Sequence, residues 1–299
     1  MTAPWDGTGL PPSAIDRLER ARTATLATSL LSVPSAAGLH AAGLEPVGEV
    51  MGCAVFRFGW QQAGYCGMTS QVLRANPSYE QALRDAWGAA VFRLTEEAQS
   101  LGAAGVVGAA RTVTRLDNVT QEFVMLGTAV RFTGIDKPFE RPFIAEQSGT
   151  DVAKLMLAGW LPMTPILGLA VLLRHDDYRT RWNSGLFAPN VEIPGYTDLV
   201  SQARAVARRD LELQAGRWRG AEGLLMTSQQ LRIHQREPTE NHKDHIAEQT
   251  FFGTAISRLP ARLRPKIDGG LSITTVATDR RSGATRTDPL RPQPIIAVR

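Results

Sequence analysis

The chain has 299 residues, 43% of them hydrophobic and 21% charged, a balance that leaves room for two folded domains and excludes a disordered chain. Two cysteines, Cys53 and Cys66, are too few for a disulfide framework, and no basic-apolar-small leader opens the sequence, so a reducing cytoplasmic setting is expected rather than secretion. The formal charge of +4 belongs to residues 260–299, where eight Arg or Lys face three Asp; the remainder is near neutral, and no nucleic-acid partner is expected.

Residues 1–34 form an N-terminal segment ahead of a first domain at 35–136. Ser35, a good N-cap residue, opens a short apolar segment ending at Ala42. A strand follows over about 47–57, then an irregular loop. Cys53 in the strand reads as a small buried hydrophobe, and nothing near Cys66 in the loop would activate a thiol. Tyr79–Leu101 places Leu83, Ala86, Ala90, Leu94, Ala98 and Leu101 on one helix face, and Gly102 is its stop. Glu96 and Glu97 are neighbours that cannot share a helix face and are expected on a solvated edge. A strand over 103–116 and a closing strand complete the unit. In the closing strand Val124, Leu126, Thr128, Val130 and Phe132 alternate as an apolar face, while Gly127 and Ala129 point the other way and admit a helix or another subunit.

A linker at 137–150 leads to a second domain at 151–259, opened by Asp151 as N-cap. Leu155–Leu173 is a run of nineteen residues without charge, close to bilayer length. Its counterpart in the first domain, 39–57, carries Glu45 and Glu49, so the run reads as helix end, Pro162/Pro165 turn and buried strand over about 165–174, and no membrane span is expected. His175-Asp176-Asp177 reads as a turn. Tyr196–Trp218 is the second long helix with Gly220 as its stop, followed by a strand over 221–236 and a closing strand over 249–256. Between those strands His234, His242, Asp244 and His245 fall within twelve residues. Imidazole and carboxylate suit zinc or nickel, which makes these four the candidate metal ligands, although such a polar loop is otherwise simply solvated. No other cofactor is expected. Residues 260–299 are a basic, Pro/Arg-rich tail, reading either as a hairpin turning at Arg280–Gly283 that binds a protein partner's sheet edge, or as a disordered segment.

The two domains echo each other. Ala42–Val55 matches Ala158–Val171 at an offset of 116, Tyr79–Leu101 matches Tyr196–Trp218 at 117, and Gly127-Thr128-Ala129 matches Gly253-Thr254-Ala255 at 126. Offsets that grow only at turns and loops are the mark of a tandem repeat, here of two β-α-β-β units, an α+β fold with a helix packed on an antiparallel sheet. Gly102, Gly127, Gly220 and Gly253 are its structural glycines.

GEVMGCAVFR (Gly48–Arg57), EEAQSLGAAGVVG (Glu96–Gly108) and FVMLGTAV (Phe123–Val130) together resemble the YbjQ family, which carries a heavy-metal-binding label. The likeness covers about 43–134 well and 159–258 more loosely; in the second domain Leu224-Leu225 replaces Val106-Val107 and Met226 replaces Gly108. The resemblance implies a dodecin-like fold and homo-oligomeric rings, typically pentamers. Because each chain supplies two domains, ring symmetry leaves either five chains stacking a ring of first domains on a ring of second domains, with Trp160–Leu173 as the expected stacking surface, or a ring with an even number of domains; the stack is the expected solution. No Gly-x-Ser-x-Gly, phosphate loop or His-Glu-x-x-His is present, so no enzyme is expected. The expected function is a non-enzymatic homo-oligomeric assembly or scaffold protein; the alternative is a metal-ion or small-ligand binder using cavities between subunits or the His-rich loop 234–245.

Overall fold

The computed structural model describes residues 5–23, 29–59, 73–136, 138–185, 188–239 and 242–265; Cys66 and the expected tail hairpin lie outside them. Helices α1 (Pro12–Thr23) and α2 (Val33–Ala41) precede strand β1 (Leu44–Arg57). Strand β2 (Arg74–Ala75) leads into α3 (Pro77–Ser100), β3 (Gly105–Arg115) and β4 (Thr120–Phe132) form a hairpin, and β5 (Phe143–Ile144) runs parallel to β3. Then come α4 (Gly149–Leu157), β6 (Trp160–His175), α5 (Tyr178–Asn183), α6 (Pro194–Gly216), β7 (Gly223–Thr239) and β8 (His242–Arg258).

The fold is α+β. Sheet 1 has the order β1-β4-β3-β5 and sheet 2 the order β2-β6-β8-β7, so each long hairpin places its second strand against the first strand of its half. Registers agree as well: Met51 faces Leu126 and Cys53 faces Val124 in sheet 1, and Leu167 faces Phe252 and Leu169 faces Thr250 in sheet 2. Bulges fall at matching places, between Pro46 and Gly48 and between Pro162 and Thr164.

Small residues set the spacing between helix and sheet. A side chain at Gly52 would lie 1.8 Å from the Ala90 carbonyl oxygen, and one at Gly168 would lie 2.4 Å from that of Ala207, so each long helix rests directly on backbone. Gly127 and Gly253 serve differently from the sequence expectation: they admit the neighbouring strand, Val106 and the Val107 carbonyl in one half and the Leu225 carbonyl in the other, rather than a helix or subunit. Gly102 follows α3 with φ of +67°, the left-handed conformation that ends a helix, whereas α6 already ends at Gly216 with Arg217 as its C-cap, and Gly220, with φ of +84°, sits in the turn beyond it rather than serving as the expected stop.

The layers run sheet, helix, sheet, helix. One side of α3 packs Ala86, Ala90 and Leu94 against Val50, Phe123 and Met125 of sheet 1, while Leu83 and Trp87 reach Leu169, Val171 and Phe252 of sheet 2. Helix α6 covers the opposite face of sheet 2, burying Ala207 and Leu211 against Ile166, Ala170 and Phe251. In β4 Phe123, Met125, Gly127 and Ala129 are buried against α3 and the neighbouring strand; of the expected apolar face Thr128, Val130 and Phe132 are buried, while Val124 and Leu126 are only half-buried.

Several boundaries differ from the sequence expectation. Ser32 and Ser148 are the N-caps of α2 and α4, accepting hydrogen bonds from the backbone N–H groups of Ser35 and Asp151, because both helices begin earlier than those residues. Pro162 and Pro165 lie inside β6 rather than in a turn. Along this stretch the strand's outer edge carries no strand among the described residues, since β2 pairs only with Leu172 and Leu173, and an edge has no need of a proline N–H. Glu97 is buried, not solvated: its carboxylate accepts the Met51 N–H at 2.7 Å on the open edge of β1 and pairs with Arg17 of α1 at 2.5 Å. Burial pushes its carboxyl up despite those partners. The expected linker supplies β5, and Leu263 of the expected tail is buried in the core, so the compact unit extends to Pro265. Trp160–Leu173 is mostly enclosed within the chain, which removes it as a stacking surface. Among the described residues no helix is long and apolar enough to cross a membrane.

Candidate functional site

At one end of sheet 2 the register of β6 and β8 sets His175 opposite Asp244 and Arg174 opposite His245. Two imidazole–carboxylate pairs result. His175 Nδ1 lies 2.8 Å from Asp244 Oδ1, and His245 Nδ1 lies 2.9 Å from Asp176 Oδ1. The Tyr196 hydroxyl of α6 donates to Asp176 Oδ2 at 3.3 Å, sits 3.1 Å from His245 Nε2, and its ring packs at 4.4 Å from the imidazole. Burial raises the Tyr196 phenol, which keeps it protonated as a donor. Beside this network Arg174 bridges Asp177 and Asp198 at 3.3 Å each. Asp177 caps α5 by accepting the Thr180 N–H at 2.7 Å, and that hydrogen bond holds its carboxyl below the usual range.

Of the four expected metal ligands, Asp244 and His245 are consecutive strand residues and point to opposite faces. His234 goes elsewhere, its Nε2 3.6 Å from Glu248 Oε2, and the His242 side chain lies outside the described residues. Both ring nitrogens of His245 already face protein groups. Among the described residues no group of three or more His, Cys, Asp or Glu converges on a point that a metal ion could occupy. In place of the loop cluster the chain forms two separate groups, His175 with Asp244 and His245 with Asp176 and Tyr196. The signal was present: two His/Asp clusters flank strands that pair end to end.

The second feature lies where the halves meet. A cavity of about 290 Å³ is lined by Trp87, Met125, Ile166, Leu167, Trp218 and Phe252, with Arg111 and Glu146 at its wall. Arg111 Nε is 2.6 Å from Glu146 Oε1, its guanidinium lies 3.3 Å over the Phe252 ring, and Ser228 Oγ accepts from it at 2.9 Å. Burial pushes the Glu146 carboxyl up and the Arg111 guanidinium down, each countered by the other's charge. At the neighbouring edge of β6, Asp210 accepts the Leu169 N–H at 2.9 Å and Glu80 accepts the Val171 N–H at 2.8 Å, while Arg84 pairs with Asp210. Residues of both halves satisfy this edge. The cavity is apolar and aromatic, suited to a flat ligand, with its charged groups already committed to one another.

Cys53 is half-buried; its thiol donates to Glu122 Oε1 at 3.3 Å and is pushed up to about 11 by burial and that carboxylate. It has the character of a packed thiol rather than a nucleophile.

The fold and these sites define an α+β protein with two helix-backed antiparallel sheets. The sequence pattern of the YbjQ family, described as "Putative heavy-metal-binding", matches residues 43–133. The chain is also 33% identical over 224 residues to an encapsulin nanocompartment protein of Mycobacterium tuberculosis, covering 72% of this chain and 81% of that protein. No solved structure matches. The chain belongs to the YbjQ family.

Proposed function

We propose that this chain is a non-enzymatic scaffold protein that assembles with itself, as part of an encapsulin nanocompartment in the cytoplasm. The observation that carries the reading is the outer face of sheet 1. Met51 and Val55 are exposed there beside half-buried Cys53, Val124 and Leu126, whereas of the matching residues of sheet 2 Leu169, Val171, Thr250 and Phe252 are buried and Leu167 is half-buried. An apolar sheet face left open in one half and covered in the other is a surface that awaits a partner. The name of the mycobacterial relative supports the compartment, and a ring of five two-domain chains is the assembly we propose from the family resemblance. Light scattering coupled to gel filtration of the purified chain tests the reading, with a mass of about five times 32.5 kDa expected for a closed ring of whole chains.

A second reading, small-ligand or metal-ion binding, is favoured by the aromatic cavity between the halves and by the family description. Nickel or zinc titration of chelator-treated protein against a His242→Ala/His245→Ala variant tests the metal arm. Saturable binding at one site, lost in the variant, would make assembly an incomplete account.

A further inference from the structure

The layer order leaves two unlike ends. One is the outer face of sheet 1 and the other is the outer side of α6, where Ser201, Arg204, Ala205 and Arg208 are exposed. Within the chain, the junction between the middle layers is the contact of a long helix with the equivalent face of a sheet: α3 lies against the face of sheet 2 that carries Leu169, Val171, Glu248, Thr250 and Phe252. By register, the same face of sheet 1 carries Cys53, Val55, Glu122, Val124 and Leu126. By helix alignment, the places of Trp87, Gly88 and Val91 on α3 are taken on α6 by Arg204, Ala205 and Arg208.

These substitutions match across the prospective contact. Trp87 and Leu83 of α3 lie around Glu248 and Phe252 on sheet 2. On sheet 1 the place of Glu248 is held by Glu122, half-buried and hydrogen-bonded by Cys53. The residue that would meet it from α6 has become an arginine. A cationic helix face and a sheet face with apolar residues and a carboxylate near the β3–β4 turn are complementary, and they lie on the two outer layers of one chain.

We propose that α6 of one chain docks on the outer face of sheet 1 of a second copy, repeating between chains the contact of α3 with sheet 2, with Arg204 against Glu122. Such a contact is head to tail, and it closes into a ring when the rotation per step allows. This inference rests on the assembly reading and names its surface.

The test is a charge exchange on the full chain. Glu122→Arg and Arg204→Glu are at half-buried and exposed positions, and circular dichroism with melting curves verifies their fold. Each alone should raise the concentration for half-assembly by about tenfold or more, because like charges then face each other. The double variant should regain the wild-type mass. An equimolar mixture of the two single variants should form species heavier than either variant alone, since in a head-to-tail contact each joins the other through opposite charges; a ring of five chains cannot alternate two variants, so the mixture does not rebuild that ring. Variants that keep the wild-type mass, or a mixture that stays dissociated, would overturn the docking surface while an oligomeric wild type leaves the scaffold reading standing. A monomeric wild type would sink both.

Discussion

Replacing Gly52 with alanine tests the layered architecture at its tightest point. The added methyl would sit 1.8 Å from the Ala90 carbonyl oxygen and 2.7 Å from the Leu94 backbone nitrogen. Restoring ordinary contact requires α3 to move off β1 by roughly 1.5 Å, given carbon contact distances of about 3.5 Å. The helix has no free side to move toward, because Trp87 is already wedged against Phe123 and Phe252 with ring centroids 5.1 and 5.6 Å away. Overpacking in cores costs about 1–3 kcal/mol, and backbone atoms on both sides put this site at the upper end, about 3 kcal/mol. For a chain of this size that lowers the melting temperature by roughly 6–12 °C. Gly88→Ala on the same helix has nothing within 4 Å of the new methyl and should instead stabilise by about 0.5–1 kcal/mol through helix propensity. Thermal unfolding followed by circular dichroism reads both. A Gly52→Ala protein melting within about 2 °C of wild type would refute the close helix–strand contact.

Leu94→Asp and Leu211→Asp each place an unpaired carboxylate on a helix face that the fold buries, and each should cost several kcal/mol, about 3–5, or abolish folding in urea titrations. Glu80 has its folded pKa raised by burial, so its stabilising contribution is complete below the unfolded carboxylate pKa and is lost as pH rises through the folded value. Glu80→Gln keeps an oxygen to accept the Val171 N–H and removes that loss, so its melting temperature relative to wild type should rise from pH 4 to pH 7; a gap constant with pH would contradict the assignment. In a Cys66→Ser background, Cys53 should react with iodoacetamide slowly near neutral pH and accelerate only as pH approaches its thiol value of about 11. Fast alkylation at pH 7 would show the Glu122 contact to be absent.

The helices, the strands and their pairing were legible in the sequence because each is written in local periodicity: Leu83, Ala86, Ala90 and Leu94 at helical spacing, and glycines at fixed offsets in both halves. What escaped was set by packing between halves. Glu97 is written like a solvated helix carboxylate, and only the open edge of β1, which offers the Met51 N–H, makes it a buried acceptor. Proline in β6 reads as a turn until the strand is seen to have an unpaired edge there. The His-rich loop suggested one cluster, but strand alternation sends Asp244 and His245 to opposite faces, where His175 and Asp176 meet them. Arg111 and Glu146 lie 35 positions apart in sequence, and nothing in that spacing announces a buried pair beside a cavity.

The most direct measurement is the absolute mass of the wild-type chain in solution, by light scattering coupled to gel filtration across a dilution series. Self-assembly through the open face of sheet 1 predicts a discrete species at a whole multiple of 32.5 kDa that persists at micromolar concentration. A single species of 32.5 kDa throughout the series would contradict it.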